Sequence, residues 1–301
     1  MLITQKLEGY ISFAVGKAID NPRYKTEFKN LIVDQGLNNA ASTAINTLVT
    51  RCRVGSSSDI RTTSDTALGQ PVGGYTSVVT STYNHSSGNP VWYTYGRFTY
   101  TFPAGSVTGD LREIGFFDSS GNMFSHALIK DGAGNPTTVT VLADEQLFVT
   151  YEVRKYPTET DQTGTFVLAI NGVDTSFTYT ARPALINTTI STNYWYGSHQ
   201  LGVDTNLDKY IVAYESQTLG SVTGTPTGTA VAGSGTIGPY VAGSFKSTLN
   251  CVFDPSVANF TNGIGSMMLC NGFQVAFDPA IPKNSDRRLV LPLSTVYSRK
   301  E

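Results

Sequence analysis

The chain contains 301 residues with 21 basic and 23 acidic side chains, and charged residues make up only 15% of it, against roughly 25% in typical soluble domains. The near-balance of charge argues against nucleic acid as a partner, because phosphate binding needs a concentrated basic surface. No apolar run approaches the ~20 residues that span a bilayer, and residues 1–25 lack a signal-peptide pattern, so we expect neither membrane insertion nor export.

The first predicted element is one short helix near the N-terminus. Apolar residues recur there at helical spacing, at Leu37, Ala41, Ala44, Ile45 and Leu48. The segment that follows, residues 69–90, is rich in glycine, serine and threonine, and we predict a long polar loop that is mobile in the isolated chain.

Most of the remaining sequence predicts short β-strands separated by turns. Five segments combine β-branched and aromatic residues with partial alternation, at residues 93–102, 137–142, 146–154, 165–170 and 176–180. Turn signals separate them, at residues 120–122, at 132–136 and at Asn171-Gly172, which is a favoured type I′ hairpin dipeptide. Many short strands closed by such turns predict an all-β fold of antiparallel sandwiches rather than βαβ units.

A domain boundary is predicted near the middle of the chain. Pro157 and the polar run up to Gly164 separate a first β-sandwich domain, residues 1–158, from a second, residues 159–301. The second domain carries its own glycine- and threonine-rich segment at residues 220–243, which we predict as a second long loop.

The two halves repeat the same order of landmarks, which predicts tandem domains related by internal duplication. The offsets between corresponding landmarks stay between 146 and 151 residues, which is the size of a whole domain. The corresponding positions are Leu68 with Leu219, Ile114 with Ile264, Phe124 with Phe273, Ala127 with Ala276 and Tyr151 with Tyr297. Chance similarity between two β-rich segments is the alternative interpretation.

A search for catalytic or cofactor chemistry finds no motif. His85, His126 and His199 are far apart and match no metal-binding spacing. Two carboxylate pairs could be proposed as the acid and base of a glycosidase: Asp110 with Glu113 and Asp204 with Asp208. The plainer interpretation of the first pair is solvation or pairing with Arg112, so we predict no catalytic residues, no metal, no cofactor and no enzyme activity.

The three cysteines also match no zinc or redox motif. Cys251 and Cys270 could pair across strands of the second domain, and this stays open. Three buried thiols made in a reducing cytosol, including Cys52, are the favoured interpretation.

Two aromatic clusters are candidate interaction sites. For Trp92 and Tyr95 the favoured interpretation is packing in a core. Tyr194, Trp195 and Tyr196 are consecutive, so in a strand they cannot all point inward, and we predict that they form an interface. Such rings also stack on sugars, which leaves a host surface glycan as an alternative partner.

Residues 28–157 resemble structural proteins of tailed bacteriophage particles, of the tail, minor tail or tail-fibre type. The likeness is carried by FKNLIVDQGL, by RCRVGSSS, by TALG and by the segment beginning LREIGFFDSSGNMFSHALIKD. Ser125-His126 stands where those proteins usually have Ser-Arg. The resemblance implies a non-enzymatic β-sandwich protein of the virion, assembled in the host cytoplasm and bound to copies of itself or to other virion proteins. It does not fix a position at the tail, baseplate, collar, fibre attachment site or head. The alternative function is a receptor-binding, glycan-recognising tail protein.

Overall fold

A computed structural model describes residues 1–86, 91–158, 160–186, 211–269 and 272–300. About 55% of the chain is strand and 4% is helix, which confirms the expected β fold at that level. The elements are β1 Leu2–Gly16, β2 Tyr24–Lys29, β3 Leu31–Ile32, α1 Asp34–Ala40, α2 Ile45–Leu48, β4 Arg51–Gly55, β5 Pro71–His85, β6 Thr94–Phe102, β7 Gly109–Leu111, β8 Glu113–Phe117, β9 Met123–Leu128, β10 Val139–Val141, β11 Gln146–Pro157, β12 Gln162–Ile170, β13 Val173–Pro183, β14 Val212–Tyr214, β15 Ala230–Ala232, β16 Ser234–Ile237, β17 Lys246–Phe253, β18 Ile264–Leu269, β19 Phe273–Ile281 and β20 Leu289–Arg299.

The chain forms two compact units. The N-terminal unit comprises Leu7–Asn84, Tyr95–Lys155 and Ser298–Glu301, and the C-terminal unit comprises Met1–Lys6, His85–Thr94 and Tyr156–Tyr297. The predicted boundary at residue 158 lies close to the passage between units at residue 156. Each unit also takes short segments from the other half of the sequence, which composition alone does not indicate.

The N-terminal unit is built from antiparallel strands. Its main strand order is β1-β11-β6-β5-β4-β8-β9-β3, with β2 paired to β1, and β7 pairs separately with β10. In the centre, β8 pairs with β4 through Ile114↔Val54 and with β9 through Ile114↔Ala127. Aromatic rings fill the core: Phe116 stacks on Tyr151 at a centroid distance of 3.9 Å, and Phe124 meets Tyr151 edge-on at 6.4 Å.

The C-terminal unit contains a six-stranded antiparallel sheet in the order β12-β13-β19-β18-β14-β15, and the strands β16-β17-β20. Asn171-Gly172 forms the predicted two-residue hairpin turn, because Ile170 pairs with Val173 and both turn residues have positive φ. Phe166, Phe177 and Phe277 pack together in the core.

The prediction of one helix was wrong in detail, because the structure has two short helices, α1 and α2, separated at residues 41–44. Ala44 is extended, with φ −63° and ψ 131°. The hydroxyl of Ser42 donates to the carbonyl oxygens of Asn38 and Asn39, and that of Thr47 donates to the carbonyl oxygen of Ala44 at 2.7 Å. Such side-chain bonds to the backbone compete with helical hydrogen bonding.

The prediction of a long polar loop was wrong for the first segment, residues 69–90, and is confirmed in part for the second, where residues 220–229 and 238–243 lie outside the strands. Most of the first segment is the 15-residue strand β5, which lies between β4 and β6 and is bonded to this chain's own strands. The second segment contains β15 and β16. Ordering of β5 therefore comes from backbone pairing with β6 and, over residues 71–77, with β4, which a composition of glycine, serine and threonine does not prevent.

The repeated landmarks lie largely in the two cores. Ile114, Ile264, Tyr151 and Tyr297 are buried, and Ala127 is buried as well. Ala276 is only half-buried. Trp92 and Tyr95, interpreted as core residues, are half-buried.

Candidate functional site

The most exposed regular element in the described residues is β5. Its side chains alternate between two faces of the sheet, yet no residue of the strand is buried. Tyr75, Val79 and Tyr83 are its large exposed apolar residues, with Ser77 and Ser81 between them in sequence, and we call these five residues the strand surface. Val79 is 63% exposed, and both tyrosines are exposed. These exposed apolar side chains make the strand a candidate protein-binding surface.

The first tyrosine of the strand surface is held in place by its neighbours. The ring of Tyr75 meets the buried ring of Phe117 edge-on at 5.1 Å. The guanidinium groups of Arg53 and Arg51 lie 5.0 and 5.8 Å from the Tyr75 ring centroid, within the range of cation–π attraction. Arg53 also donates to the carbonyl oxygen of Gly73 at 3.0 Å. A ring fixed in this way loses little conformational entropy when a partner covers it.

The loop that precedes β5, residues 56–70, is fastened at both ends by one buried carboxylate. Glu113 on β8 is fully buried, and its carboxylate accepts hydrogen bonds from the backbone N–H groups of Ser57 at 3.2 Å, Gly69 at 3.0 Å and Gln70 at 2.8 Å. Hydrogen bonds to an ionised acceptor are roughly twice as strong as neutral ones. The carboxylate therefore fixes where the loop leaves β4 and where it enters β5.

Glu113 is also the centre of a buried ion cluster with Arg61, Asp65 and His126. Arg61 Nη1 lies 2.9 Å from Glu113 Oε2, and His126 Nε2 lies 2.9 Å from the same oxygen. His126 Nδ1 lies 2.9 Å from Asp65 Oδ2. Arg61 Nη1 also lies 2.9 Å from His126 Nε2, so the guanidinium, the imidazole and the Glu113 carboxylate are in mutual contact.

The cluster keeps its carboxylates ionised. Burial raises the pKa of Glu113, but hydrogen bonds from His126 and from the N–H groups of Gln70 and Gly69 outweigh it and lower the pKa to about 2. The pKa of Asp65 is also lowered, because bonds from Thr62 and His126 outweigh the opposing effect of burial. The loop is thus attached by charge-assisted bonds at neutral pH.

The ion cluster fixes the position of the loop that precedes β5. Ile60 precedes Arg61 in this loop and is 87% exposed. Ile60 and the strand surface both belong to the N-terminal unit. A rigid support beneath exposed apolar groups lowers the entropic cost of docking a partner.

Several of the candidate site residues predicted from sequence lie outside the part of the chain that the structure describes. Tyr194, Trp195 and Tyr196 lie outside the described residues, as do His199, Asp204, Asp208 and Cys270. Cys52 and Cys251 are buried.

The predicted pairing of Glu113 with Arg112 was wrong. Arg112 lies between β7 and β8 and donates to Thr138 Oγ1 at 3.0 Å. Asp110 accepts a bond from Thr140 Oγ1 at 2.6 Å and is not part of the ion cluster.

Sequence reasoning missed Arg61, Asp65 and the role of His126. The available signal was Glu113 itself, because an acidic residue in the apolar run LREIGFF needs a partner when the strand is buried. Its partners lie 52 and 13 residues away in sequence, so no motif spacing identifies them.

Among the described residues no helix is long and apolar enough to cross a membrane. In the same part of the chain no group of three or more histidine, cysteine and acidic side chains is arranged to hold a metal ion. Comparison of the chain with protein-family models, curated proteins and solved structures finds no match.

Proposed function

We propose that this chain is a non-enzymatic structural component of a tailed bacteriophage particle, and that it works through protein–protein contacts made by the strand surface. Residues 28–157 carry the sequence resemblance to such proteins, and the strand surface lies within that range. The observation that carries the proposal is the exposure of Tyr75, Val79 and Tyr83 on a strand whose supporting loop is fixed by buried charge. The occupant is a copy of this chain or a neighbouring virion protein.

The low charge of the chain fits the same function. A surface made of hydroxyl, amide and aromatic groups favours extensive neutral contacts over electrostatic steering. Stable assembly interfaces bury large areas in which charged residues are depleted at the centre.

We further propose that the two units are β-sandwiches related by duplication, and strand order supports this. The order β3-β9-β8-β4-β5 in the N-terminal unit corresponds to β13-β19-β18-β14-β15 in the C-terminal unit. The order β5-β6-β11-β1 corresponds in the same way to β16-β17-β20-β1. The long strand β5 thus has two counterparts, β15 and β16, which Gly233 separates.

The repeated Leu-Gly landmark adds support, because a buried polar side chain holds it in both units. The N–H of Gly69 donates to Glu113 Oε2 at 3.0 Å, and the N–H of Gly220 donates to Gln274 Oε1 at 2.8 Å. Glu113 and Gln274 are both fully buried. Glu113 lies on β8 and Gln274 lies on β19, which corresponds to β9. Both units therefore bind this glycine N–H with a buried side chain, but the side chains come from strands that do not correspond.

The hairpins β8–β9 and β18–β19 match with a shift of two residues. Ala127 pairs with Ile114, whereas Ala276 pairs with Ser266, two residues beyond Ile264. The β18–β19 pairing is also irregular between Ile264 and Ser266, whereas the β8–β9 pairing is regular around Ile114. The landmark pairs Ile114 with Ile264 and Ala127 with Ala276 therefore cannot both superpose, although they occupy corresponding strands.

The proposal is tested in a phage that lacks its own copy of the gene and receives variants from a plasmid. Val79→Arg adds a charge to the strand surface, and Val167→Arg is the matched control, because Val167 is 58% exposed on a strand of the C-terminal unit. We expect wild-type protein and Val167→Arg in purified particles by mass spectrometry, and at least a tenfold loss of incorporation for Val79→Arg. The two isolated variants should have equal free energies of unfolding.

Absence of the wild-type chain from purified particles would reject the structural function. Equal incorporation of both variants would reject the strand surface as the interface. If the chain is instead a receptor-binding protein, the purified wild-type protein blocks phage adsorption to host cells, whereas a structural component does not.

A further inference from the structure

A cavity of about 320 Å³ lies at one end of the C-terminal unit, between three loops. The loops are the β12–β13 turn, the segment before β18 and the connection from β19 to β20. Ligand pockets start at about 300 Å³, so the cavity suits a ligand of the size of one sugar ring. The site lies in the opposite half of the sequence from the strand surface and is independent of the function proposed above.

The charges that line the cavity are all positive. Lys283 and Arg287 contribute two cations, and no lining residue is acidic. Within the described ranges neither cation forms an ion pair, whereas their neighbour Arg288 pairs with Asp254 at 3.1 Å. Lys283 is buried, and its ammonium donates to neutral oxygens, Asn259 Oδ1 at 2.8 Å being the nearest. An anion in the cavity would neutralise charge that the described residues leave uncompensated.

The pKa of Lys283 is lowered by burial. The attraction of the Asp254 carboxylate offsets only part of that effect. A bound carboxylate would favour the charged form of Lys283 and strengthen its own binding.

Three asparagine side chains complete the lining, and each uses only one half of its amide within the described structure. Asn171 Oδ1 accepts a bond from Arg287, and Asn284 Oδ1 accepts a bond from the N–H of Asp286. Asn262 Nδ2 donates to Glu215 Oε1 at 3.2 Å. All three residues are exposed, and these bonds leave the NH₂ groups of Asn171 and Asn284 and the Oδ1 of Asn262 accessible to a ligand.

This mixture of donors and an acceptor distinguishes between anionic ligands. A phosphate presents only acceptor oxygens and would make no hydrogen bond with Asn262 Oδ1. Hydroxyl groups both donate and accept, so a polyhydroxylated ligand satisfies all three amides. Phe260 and Ile170 add an apolar wall, against which the C–H face of a sugar ring can pack.

We propose that this cavity binds a carboxylated monosaccharide, such as a uronic acid residue of a surface polysaccharide. Its carboxylate lies between Arg287 and Lys283, and its hydroxyl groups bind the amides of Asn171, Asn262 and Asn284. Arginine is suited to this position because its planar guanidinium can contact both oxygens of a carboxylate.

Binding is tested by isothermal titration calorimetry of the full chain with methyl β-D-glucuronide. The neutral methyl β-D-glucoside tests the need for the carboxylate, and acetate tests the need for the hydroxyl groups. We expect the glucuronide to bind at least tenfold more tightly than either. Arg287→Gln should weaken glucuronide binding by at least tenfold, about 1.4 kcal/mol. Arg288→Gln is the matched control, because it removes the same charge from the adjacent, exposed residue and should leave binding unchanged.

Several results would overturn the proposal. They are the absence of saturable glucuronide binding at ~10 mM, equal affinity for acetate, equal affinity for the glucoside, and equal weakening in the two variants. Tighter binding of an acidic peptide than of the glucuronide would assign the cavity to a protein partner instead. Thermal unfolding of both variants, expected to match the wild type, shows that any loss of binding is local.

Discussion

Replacement of Glu113 by glutamine tests the buried ion cluster directly. The substitution preserves shape but removes the negative charge, and it places an amide donor among groups that already donate. Gly69, Gln70 and Ser57 direct backbone N–H groups at the carboxylate, and Arg61 adds a guanidinium. One side of the new amide therefore faces N–H donors without an acceptor.

The magnitude follows from the lowered pKa of Glu113. A shift from 4.5 to about 2 corresponds to about 3 kcal/mol of stability at neutral pH. Loss of one partner from a buried pair costs a similar amount, about 3–5 kcal/mol, because the other charge stays buried. We therefore expect Glu113→Gln to lower the free energy of unfolding by about 3 kcal/mol.

The assay is urea unfolding of wild type and variant at several pH values. The folded-state pKa is below the unfolded one, so the contribution of Glu113 is complete above pH 4.5 and is lost as the pH falls toward 2. The difference between wild type and Glu113→Gln should shrink over that window. Asp144→Asn is the control, since Asp144 forms an exposed ion pair with Lys17 and should show no resolvable change. Equal free energies for Glu113→Gln and Asp144→Asn would refute the reasoning.

Further predictions concern the two cores and one turn. Ile114→Ala and Ile264→Ala each remove a fully buried side chain and should lower the free energy of unfolding by about 2–5 kcal/mol, measured by urea titration; a loss below 1 kcal/mol for either would contradict its place in a core. Gly172→Ala should cost about 1 kcal/mol, because φ is +78° and no atom lies within 4 Å of an added Cβ, which leaves backbone strain as the cause. Gly132→Ala is its control, with open space and no positive φ, and should not destabilise; equal losses in the two glycine variants would contradict the backbone explanation.

Local signals predicted much of the strand structure, and non-local pairing accounts for what they missed. The dipeptide Asn171-Gly172 favours a type I′ turn by itself, so the hairpin could be predicted from the local sequence. Strand β5 has few apolar residues of its own and is ordered by pairing with β4 and β6, which composition cannot report. The helical periodicity through Ala44 was real, but hydroxyl groups of Ser42 and Thr47 bond the backbone and separate α1 from α2.

The candidate site depends on contacts between residues that are distant in sequence. Exposure of Tyr75 and Val79 depends on which strands flank β5, and the partners of Glu113 come from a loop far away in sequence. A single acidic residue in an apolar strand predicts that a partner exists. Its identity is fixed only when the chain brings residues 57–70 back to β8.

The exposure of β5 has a consequence for how this protein can change. Its side chains bury little area, and backbone pairing with β6 and, up to Ser77, with β4 keeps the strand in place. Substitutions that suit a strand and retain charge neutrality can therefore accumulate at Ser77, Val79 or Ser81 without disturbing the folded state. Specificity for a partner can drift independently of stability, so this strand is a natural position for adapting one scaffold to different neighbours.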